Sequence, residues 1–258
     1  MTFYASLVAL ALAAVLGPAR PGLAADPAPQ SEPDALAFDV IIAGGSTAAF
    51  AAAVAAAESG AHTALLEPTD WVGGQLTSSG VPAVDEAWHT ISDPKTGQPL
   101  LNVARVARDP ANITPNFHAL LQGLEDPAQC WVSRFCFCPD GFVRKQLLPL
   151  QQQASSRLQV FHNTVVKNVQ LDATGRRIAA ITAITRKPTG AKHRGFDRLP
   201  SRDLADWYSP ADSPRFAKQV RRFVTAPDGE QTTVFIDATE WGELLVLADA
   251  PYVTGETI

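Results

Sequence analysis

The amino-acid sequence predicts an α/β fold built on a doubly wound, mostly parallel sheet. An apolar run at residues 38–43, an alanine-rich stretch at 47–59 and a second apolar run at 62–66 follow one another with only short turns between them. A strand, a helix and a strand in this order close a right-handed βαβ unit, in which the two strands are parallel. A later apolar run at 232–236 predicts a further strand of the same kind.

Local patterns predict the other elements of residues 38–258, which we interpret as one domain. Gly60 directly follows the alanine-rich helix, at a position where a left-handed cap is favoured. Pro149 is expected to bend or split a helix at 141–158. Further helices are predicted at 116–123 and 242–249, and strands at 158–161, 164–171 and 178–186. The domain then contains an irregular and helical insertion at 81–157, a β segment at 158–186 and a loop-rich insertion at 187–231.

Composition limits the classes of partner. The chain has 258 residues, of which 46% are hydrophobic and 18% charged, and this is enough apolar material for one sizeable core. The formal net charge of −5 argues against a nucleic-acid partner, because no basic block offsets it. We interpret the two richest basic stretches, residues 186–202 and 218–222, as solvated faces.

The N-terminal region is typical of an exported protein. Residues 7–16 form an apolar run of ten, which is too short for a stable membrane span, and small residues follow at 22–25. We therefore predict a signal peptide at 1–25, although its first residues carry no Lys or Arg, and a disordered leader is the alternative. Residues 26–37 are predicted to be a loose, proline-containing linker.

The turn between the first strand and the alanine-rich helix, residues 44–49, is typical of a dinucleotide-binding site. Gly44 permits the tight turn, and small residues at the third and sixth positions allow the backbone to approach a pyrophosphate and the helix to pack on the strand. Ser46 and Ala49 stand where the strict pattern has glycine, and the Ser46 hydroxyl is a further expected donor to a phosphate. The helix beginning at Thr47 directs its unpaired N–H groups at that anion.

Two later features indicate which dinucleotide is bound. Glu67 follows Gly44 by 23 residues, at the end of the second strand, where a carboxylate accepts both ribose hydroxyls and disfavours a 2′-phosphate. The pair Gly73-Gly74, followed by Gln75, gives a second place for close backbone approach. A cofactor with a ribityl chain and a flavin ring requires such a place, so this pair favours FAD over NAD. An ordinary turn after a strand is the alternative.

These segments resemble the FAD-dependent oxidoreductase family of the glutathione-reductase-like flavoprotein fold. The resemblance is carried by DVIIAGGSTAAFAAAVAAAESG, LLEPTDWVGGQLTSSG, CWVSRFCFCP and FIDATEWGELLVLADAPYVTGE. It implies that FAD is the cofactor. It also implies that the pyrophosphate is held by Gly44, Gly45, Ser46, Thr47 and Ala48, and the adenosine ribose by Glu67. Gly73, Gly74 and Gln75 would lie against the ribityl and flavin region, and the backbone of Val166 would meet the adenine edge. Ala238 and Thr239 would form the late turn that comes back to the cofactor.

The sequence assigns no catalytic residue and no metal site. His89 follows the second glycine pair, but a single loop histidine is more often structural. Residues 206–208, Asp-Trp-Tyr, either line a substrate pocket or anchor a surface loop, and we favour the loop. Cys130 is able to pair with Cys136 or Cys138 in an exported protein, and small buried thiols are the alternative.

We therefore predict an FAD-dependent oxidoreductase that passes a hydride from a small organic substrate to the flavin. The first alternative is a nicotinamide-dependent dehydrogenase with the same nucleotide-binding unit. The second is a non-catalytic protein that keeps only the nucleotide site. The chain stops at Ile258 without the further strands and lid expected of such a fold, so we expect the N-terminal part of a longer protein.

Overall fold

The computed structural model describes residues 35–84, 96, 114–123, 136–190, 200–225, 233–253 and 255. The predicted signal peptide, residues 1–25, and residues 26–34 of the predicted linker lie outside this set. Within it, eight strands form two four-stranded sheets. In chain order the strands are β1 (Ala35–Ala37), β2 (Val40–Ala43), β3 (Thr63–Leu66), β4 (Leu158–Phe161), β5 (Thr164–Leu171), β6 (Ile178–Pro188), β7 (Phe216–Val224) and β8 (Val234–Asp237).

The helices are mostly short. In chain order they are α1 (Thr47–Glu58), α2 (Pro115–Gln122), α3 (Pro139–Phe142), a π-helical turn (Val143–Leu147), α4 (Leu148–Gln153), α5 (Leu204–Trp207) and α6 (Glu243–Leu247), with 3₁₀ turns at Gly74–Leu76 and Pro200–Arg202. Among the described residues, no helix has both the length and the apolar character needed to cross a bilayer.

The first sheet has the order β4-β3-β2-β8, and all of its neighbouring strands are parallel. Its register places Ile41 of β2 between Ala64 of β3 and Phe235 of β8. The unit β2–α1–β3 is the predicted βαβ unit, and β8 is the predicted late strand. The predicted α/β fold with a parallel sheet is thus confirmed.

The second sheet has the order β1-β7-β6-β5 and is mostly antiparallel. The pairs β5–β6 and β6–β7 are antiparallel, whereas β1 runs parallel to β7. The predicted β segment at 158–186 is therefore divided between the sheets, since β4 extends the parallel sheet while β5 and β6 belong to the second one.

Apolar residues on both faces of the parallel sheet explain how the layers pack. Alternate residues of a strand point to opposite faces. Accordingly, Ile42 and Leu65 join a cluster with α1, while Ile41 and Leu66 join a cluster with the second sheet. The parallel sheet is thus covered by helices on one face and by the antiparallel sheet on the other.

Helix α1 packs closely on the sheet because several of its buried side chains are those of alanine. Ala49 and Ala53 are fully buried, so the helix backbone approaches the sheet at short distance. The helix ends as predicted, because Gly60 adopts a φ of +95°, a left-handed conformation that glycine reaches at little cost. Ala49, which replaces the sixth glycine of the strict pattern, is therefore fully compatible with the packing of α1.

Pro149 interrupts the α-helical hydrogen-bond pattern of its helix, as the sequence predicted, without ending the helix. The residues from Pro139 to Gln153 are helical, but Val143–Leu147 form a π-helical turn, in which the Leu148 N–H donates to the Val143 carbonyl. The wider turn relieves the clash that the proline ring makes with the carbonyl four residues earlier. The helix thus continues past the proline instead of ending there.

Strands β1 and β7 lie where a linker and a loop-rich segment were predicted. The basic stretches around Arg186 and Lys218 were predicted to be solvated faces, and for these two residues that prediction is wrong. Arg186 is 2% exposed, and the Lys218 side chain is completely buried. Each has neighbours that replace water, and those neighbours belong to the candidate site.

Candidate functional site

The first glycine turn lies between β2 and α1, in contact with two other segments. Gly44 has a φ of +115°, and a Cβ there would lie 2.2 Å from the carbonyl oxygen of Ala238. At Gly45, a Cβ would lie 2.3 Å from Oε1 of Glu67. No side chain fits at either position without a shift of its neighbour, so both glycines are needed for close approach.

Ser46 caps α1 and fixes the turn. Its Oγ accepts a hydrogen bond from the Ala49 N–H over 3.0 Å and donates to the Ala238 carbonyl over 3.1 Å. The sequence analysis expected this hydroxyl to donate to a phosphate, but in the structure its proton is used to hold the segment after β8. The first turn of α1 contains no acidic residue, which keeps its positive end free to attract an anion.

The second glycine pair packs against the first turn. Gly73 and Gly74 have φ values of +103° and +56°, and a Cβ at Gly74 would lie 2.7 Å from the Gly45 carbonyl oxygen. The Thr47 hydroxyl donates to the Gly73 carbonyl over 2.7 Å, which joins the start of α1 to this pair. At Gly73 a Cβ would meet Leu147, so this glycine is needed for packing within the protein.

Glu67 is buried directly after β3, and one of its two carboxyl oxygens accepts no hydrogen bond. Its side chain is 1% exposed, and Oε1 accepts hydrogen bonds from the backbone N–H and the hydroxyl of Thr69, over 2.9 and 2.8 Å. Oε2 has no hydrogen-bond partner. Burial raises the pKa of Glu67 to about 8, against the lowering effect of the Thr69 hydrogen bonds. A buried carboxylate oxygen without a donor is uncommon and indicates a binding position.

A cavity of about 460 Å³ brings half of the predicted site residues together. Those that line it are Gly44, Gly45, Glu67, Gly74, Val166 and Thr239. Ser46, Thr47, Gly73 and Ala238 do not line it but hold its walls through the contacts described above. Ala48 and Gln75 are exposed and do not line it either.

The segment after β8 is organised by one carboxylate. Asp237 Oδ1 accepts hydrogen bonds from the N–H and the hydroxyl of Thr239, over 3.1 and 2.7 Å. Its Oδ2 accepts from the Leu244 N–H over 2.8 Å and thereby caps the first turn of α6. Asp237 therefore fixes Thr239 at the cavity and places Glu243, which also lines it.

The structure adds side chains that the sequence analysis did not assign to the site. Trp207 and Tyr208 line the cavity, whereas the sequence analysis favoured a loop anchored at the surface. The Tyr208 hydroxyl donates to Oε1 of Glu243, and burial raises the pKa of this carboxyl. The aromatic and acidic residues at 206–208 were visible in the sequence. Their contact with the cavity could not be predicted, because they lie far in sequence from the glycine turns.

Other candidates lie apart from the cavity or outside the described residues. His89 and Cys130 are outside them. Cys136 is disulfide-bonded, and Cys138 is a free, exposed thiol. Among the described residues, no group of three or more His, Cys, Asp or Glu side chains is placed to hold a metal ion.

Comparison with known proteins gives one family match. Residues 39–195, more than half of the chain, match the family described as FAD dependent oxidoreductase. A search of curated proteins finds no match.

Several solved structures are similar at low sequence identity. Sdh1 of Mycobacterium smegmatis in complex with UQ1 is 13% identical, with a TM-score of 0.37, and the match covers 58% of this chain and 31% of that one. A Glu-to-Gln mutant of quinol fumarate reductase FrdA of E. coli is also 13% identical, with a TM-score of 0.37, and the match covers 79% of this chain and 32% of that one. Thermovibrio ammonificans THI4 is 11% identical, with a TM-score of 0.35 and coverage of 83% and 86%. The chain thus spans about a third of the length of Sdh1 and FrdA.

Proposed function

Because the chain belongs to the family of FAD-dependent oxidoreductases, and FAD is its cofactor, we propose that the cavity at Glu67 holds the adenosine end of FAD. We further propose that the protein uses this cofactor to oxidise a small organic substrate. When bound, FAD supplies the acceptor for a hydride from that substrate. The chain's own residues bind and orient the cofactor.

The observation that carries the proposal is the free Oε2 of Glu67 in a cavity next to a glycine turn. A ribose has two neighbouring hydroxyls, and a carboxylate is able to accept hydrogen bonds from both. Such donors replace the water that burial has removed, so they favour the charged form and lower the pKa of Glu67 from its raised value. A 2′-phosphate in the same place would bring a second negative charge against the carboxylate.

The neighbouring residues fit the remaining part of the adenosine diphosphate. Gly44, Gly45 and Gly74 line the cavity and present backbone without side chains there, which suits a pyrophosphate. The positive end of α1, which begins at Thr47, favours that anion. Val166 and Thr239 line the same cavity. We assign Val166 to the edge of the adenine ring and Thr239 to the late turn that comes back to the cofactor.

The test is flavin binding by the purified chain. We expect visible absorption of a bound flavin, or its appearance on titration with FAD, and no comparable binding of NAD or NADP. A colourless protein that takes up no added FAD would refute the proposal. A protein that binds FAD but oxidises none of a panel of small organic substrates would support the non-catalytic alternative.

We also propose that the protein is exported. The disulfide at Cys136 supports this, because disulfides persist mainly in oxidising compartments. Expression of the full sequence in a host with a secretory pathway, followed by N-terminal sequencing, tests it. Cleavage near residue 25 supports export, and an intact, cytoplasmic N-terminus contradicts it.

A further inference from the structure

The aromatic residues at the end of α5 share the cavity with Glu67. Trp207 is 5% exposed and Tyr208 is half-buried, and both line the cavity together with the start of β5. Trp207 belongs to the same apolar cluster as Val165 of β5. We call Trp207 and Tyr208 the aromatic wall.

The position of the aromatic wall relative to Glu67 indicates which part of a nucleotide it meets. Glu67 has the glycine turn at its carboxylate, and the Thr164 N–H of β5 donates to its backbone carbonyl over 2.8 Å. A ribose carries its pyrophosphate on the 5′ carbon and its base on the 1′ carbon. With the pyrophosphate at the glycine turn, the base is directed away from that turn, toward β5 and the aromatic wall.

A buried arginine ties the aromatic wall to the turn that follows Glu67. The guanidinium of Arg186 lies 3.8 Å from the centroid of the Trp207 ring, and its Nη2 donates to the Pro68 carbonyl over 2.6 Å. Burial lowers the pKa of Arg186 only to about 10, so the group stays charged at neutral pH. A desolvated cation over an indole ring is a strong contact. It holds Trp207 at a fixed place relative to Pro68, the residue after Glu67.

A second buried cation fixes the backbone on both sides of Tyr208. Lys218 Nζ lies 2.8 Å from Oδ1 of Asp206, and it also donates to the Asp206 carbonyl and, over 3.0 Å, to the Ser209 carbonyl. The Ser213 hydroxyl donates to the other Asp206 oxygen over 2.8 Å. The Lys218 side chain is buried and that of Asp206 is 24% exposed, and such a pair contributes little net stability. Their effect is to hold this short segment in one conformation at the cavity.

We propose that Trp207 and Tyr208 form the wall of the adenine subsite, and that Arg186 and Lys218 are the positioning residues that hold this wall in place. The inference rests on the proposed binding of FAD at Glu67. The hydrogen bond from Tyr208 to Glu243 joins the wall to the segment after β8, so that the aromatic ring is already placed before the nucleotide enters.

The test is nucleotide affinity, measured by isothermal titration of ADP and FAD into the wild-type chain and its variants. Removing an aromatic ring that stacks on a base weakens binding by roughly 5- to 150-fold. We expect an increase of this size in the Kd of both ADP and FAD for Tyr208→Ala. Tyr208→Phe keeps the ring and is expected to stay within about 3-fold of the wild type. Tyr252→Ala, the same truncation at a tyrosine that is 54% exposed, is the matched control and should have no effect.

The outcomes separate this inference from the proposed function. If the wild-type chain binds neither FAD nor ADP, both are refuted. If the wild type binds both and Tyr208→Ala leaves the ADP Kd unchanged, only the aromatic wall is refuted. If Trp207→Leu folds, its Kd for ADP is a second, independent test of the aromatic wall. If Trp207→Leu does not fold, the Kd of Tyr208→Ala alone is the test, because Tyr208 is less buried than Trp207 and its replacement disturbs the fold less.

Discussion

Replacing Glu67 by glutamine tests the site through two effects of opposite sign. The side chain is 1% exposed, and its pKa is raised from 4.5 to about 8, chiefly by burial. The substitution keeps the shape of the group and removes its titration. In flavin-free protein the substitution therefore removes the free-energy cost of burying the ionised carboxylate. In the presence of FAD it removes the charged acceptor for the ribose hydroxyls.

The stability effect follows from the two pKa values. The unfolded carboxyl ionises near 4.5 and the folded one near 8, so its contribution to the free energy of unfolding is complete below pH 4.5 and is lost as the pH rises to about 8. At about 1.4 kcal/mol per pKa unit, the loss is about 5 kcal/mol. Asp70 is the nearby charge that contributes to raising this pKa.

Urea unfolding of flavin-free protein, followed by tryptophan fluorescence at several pH values, measures this effect. We expect Glu67→Gln to gain about 5 kcal/mol relative to the wild type between about pH 4.5 and pH 9. Equal pH dependence in the two proteins would refute the assignment of a buried, neutral Glu67.

The binding effect has the opposite sign. Each hydrogen bond to a charged acceptor is worth about 1.5–3 kcal/mol, so Glu67→Gln is expected to raise the FAD Kd by about 10- to 150-fold. Because the ribose favours the ionised carboxylate, wild-type affinity should rise with pH up to about 8, and the variant should lack this slope. A variant that binds FAD as tightly as the wild type would contradict the ribose role.

Two further predictions concern close packing and the buried cation. Gly45→Ala places a Cβ 2.3 Å from the Glu67 carboxylate, so we expect a folded protein whose FAD Kd rises about 10-fold or more. Gly190→Ala is the control, because no atom lies within 4 Å of the added Cβ, and it should leave the FAD Kd unchanged. Equal FAD Kd values for the two variants would contradict this geometry. Lys218→Met removes a buried cation from Asp206, whose side chain is 24% exposed, and is expected to cost about 1–3 kcal/mol in urea unfolding. Lys187→Met, at an exposed position, should cost less than about 0.5 kcal/mol, and similar costs for both would refute this role of Lys218.

Local patterns were sufficient to predict the nucleotide-binding unit. The apolar run of β2, the alanines of α1 and the cap at Gly60 each act within a few residues of one another, so their signal is complete in the sequence. The same holds for β4, β5 and β6, whose bounds agree with the predicted ones to within two residues. Glu67 was found because its position follows from the length of the βαβ unit.

Strand β7 was missed because it has no single apolar face. Phe216 and Phe223 are seven residues apart, and the period of two therefore places them on opposite faces, in different apolar clusters. The charged residues between them have the pattern of a solvated segment. The burial of the Lys218 side chain depends on pairing of β7 with β6 and on a contact with α5, which are decided far from β7 in the sequence.

The aromatic wall could not be assigned for a similar reason. Tyr208 and Glu243 are 35 residues apart, and Arg186 reaches Pro68 across 118 residues. No spacing rule connects such pairs. An arginine or a lysine in a polar stretch is usually solvated, and only the tertiary fold shows that these two are held by a ring and by oxygen atoms inside the protein.

A crystal structure of the chain with FAD tests the central claim most directly, because it shows where the adenosine ribose lies. We predict that both ribose hydroxyls lie within hydrogen-bond distance of the Glu67 carboxylate, with Oε2 accepting at least one of them. We also predict the pyrophosphate at the first turn of α1. An FAD molecule bound with its ribose away from Glu67, or with Oε2 still lacking a donor, would contradict this claim.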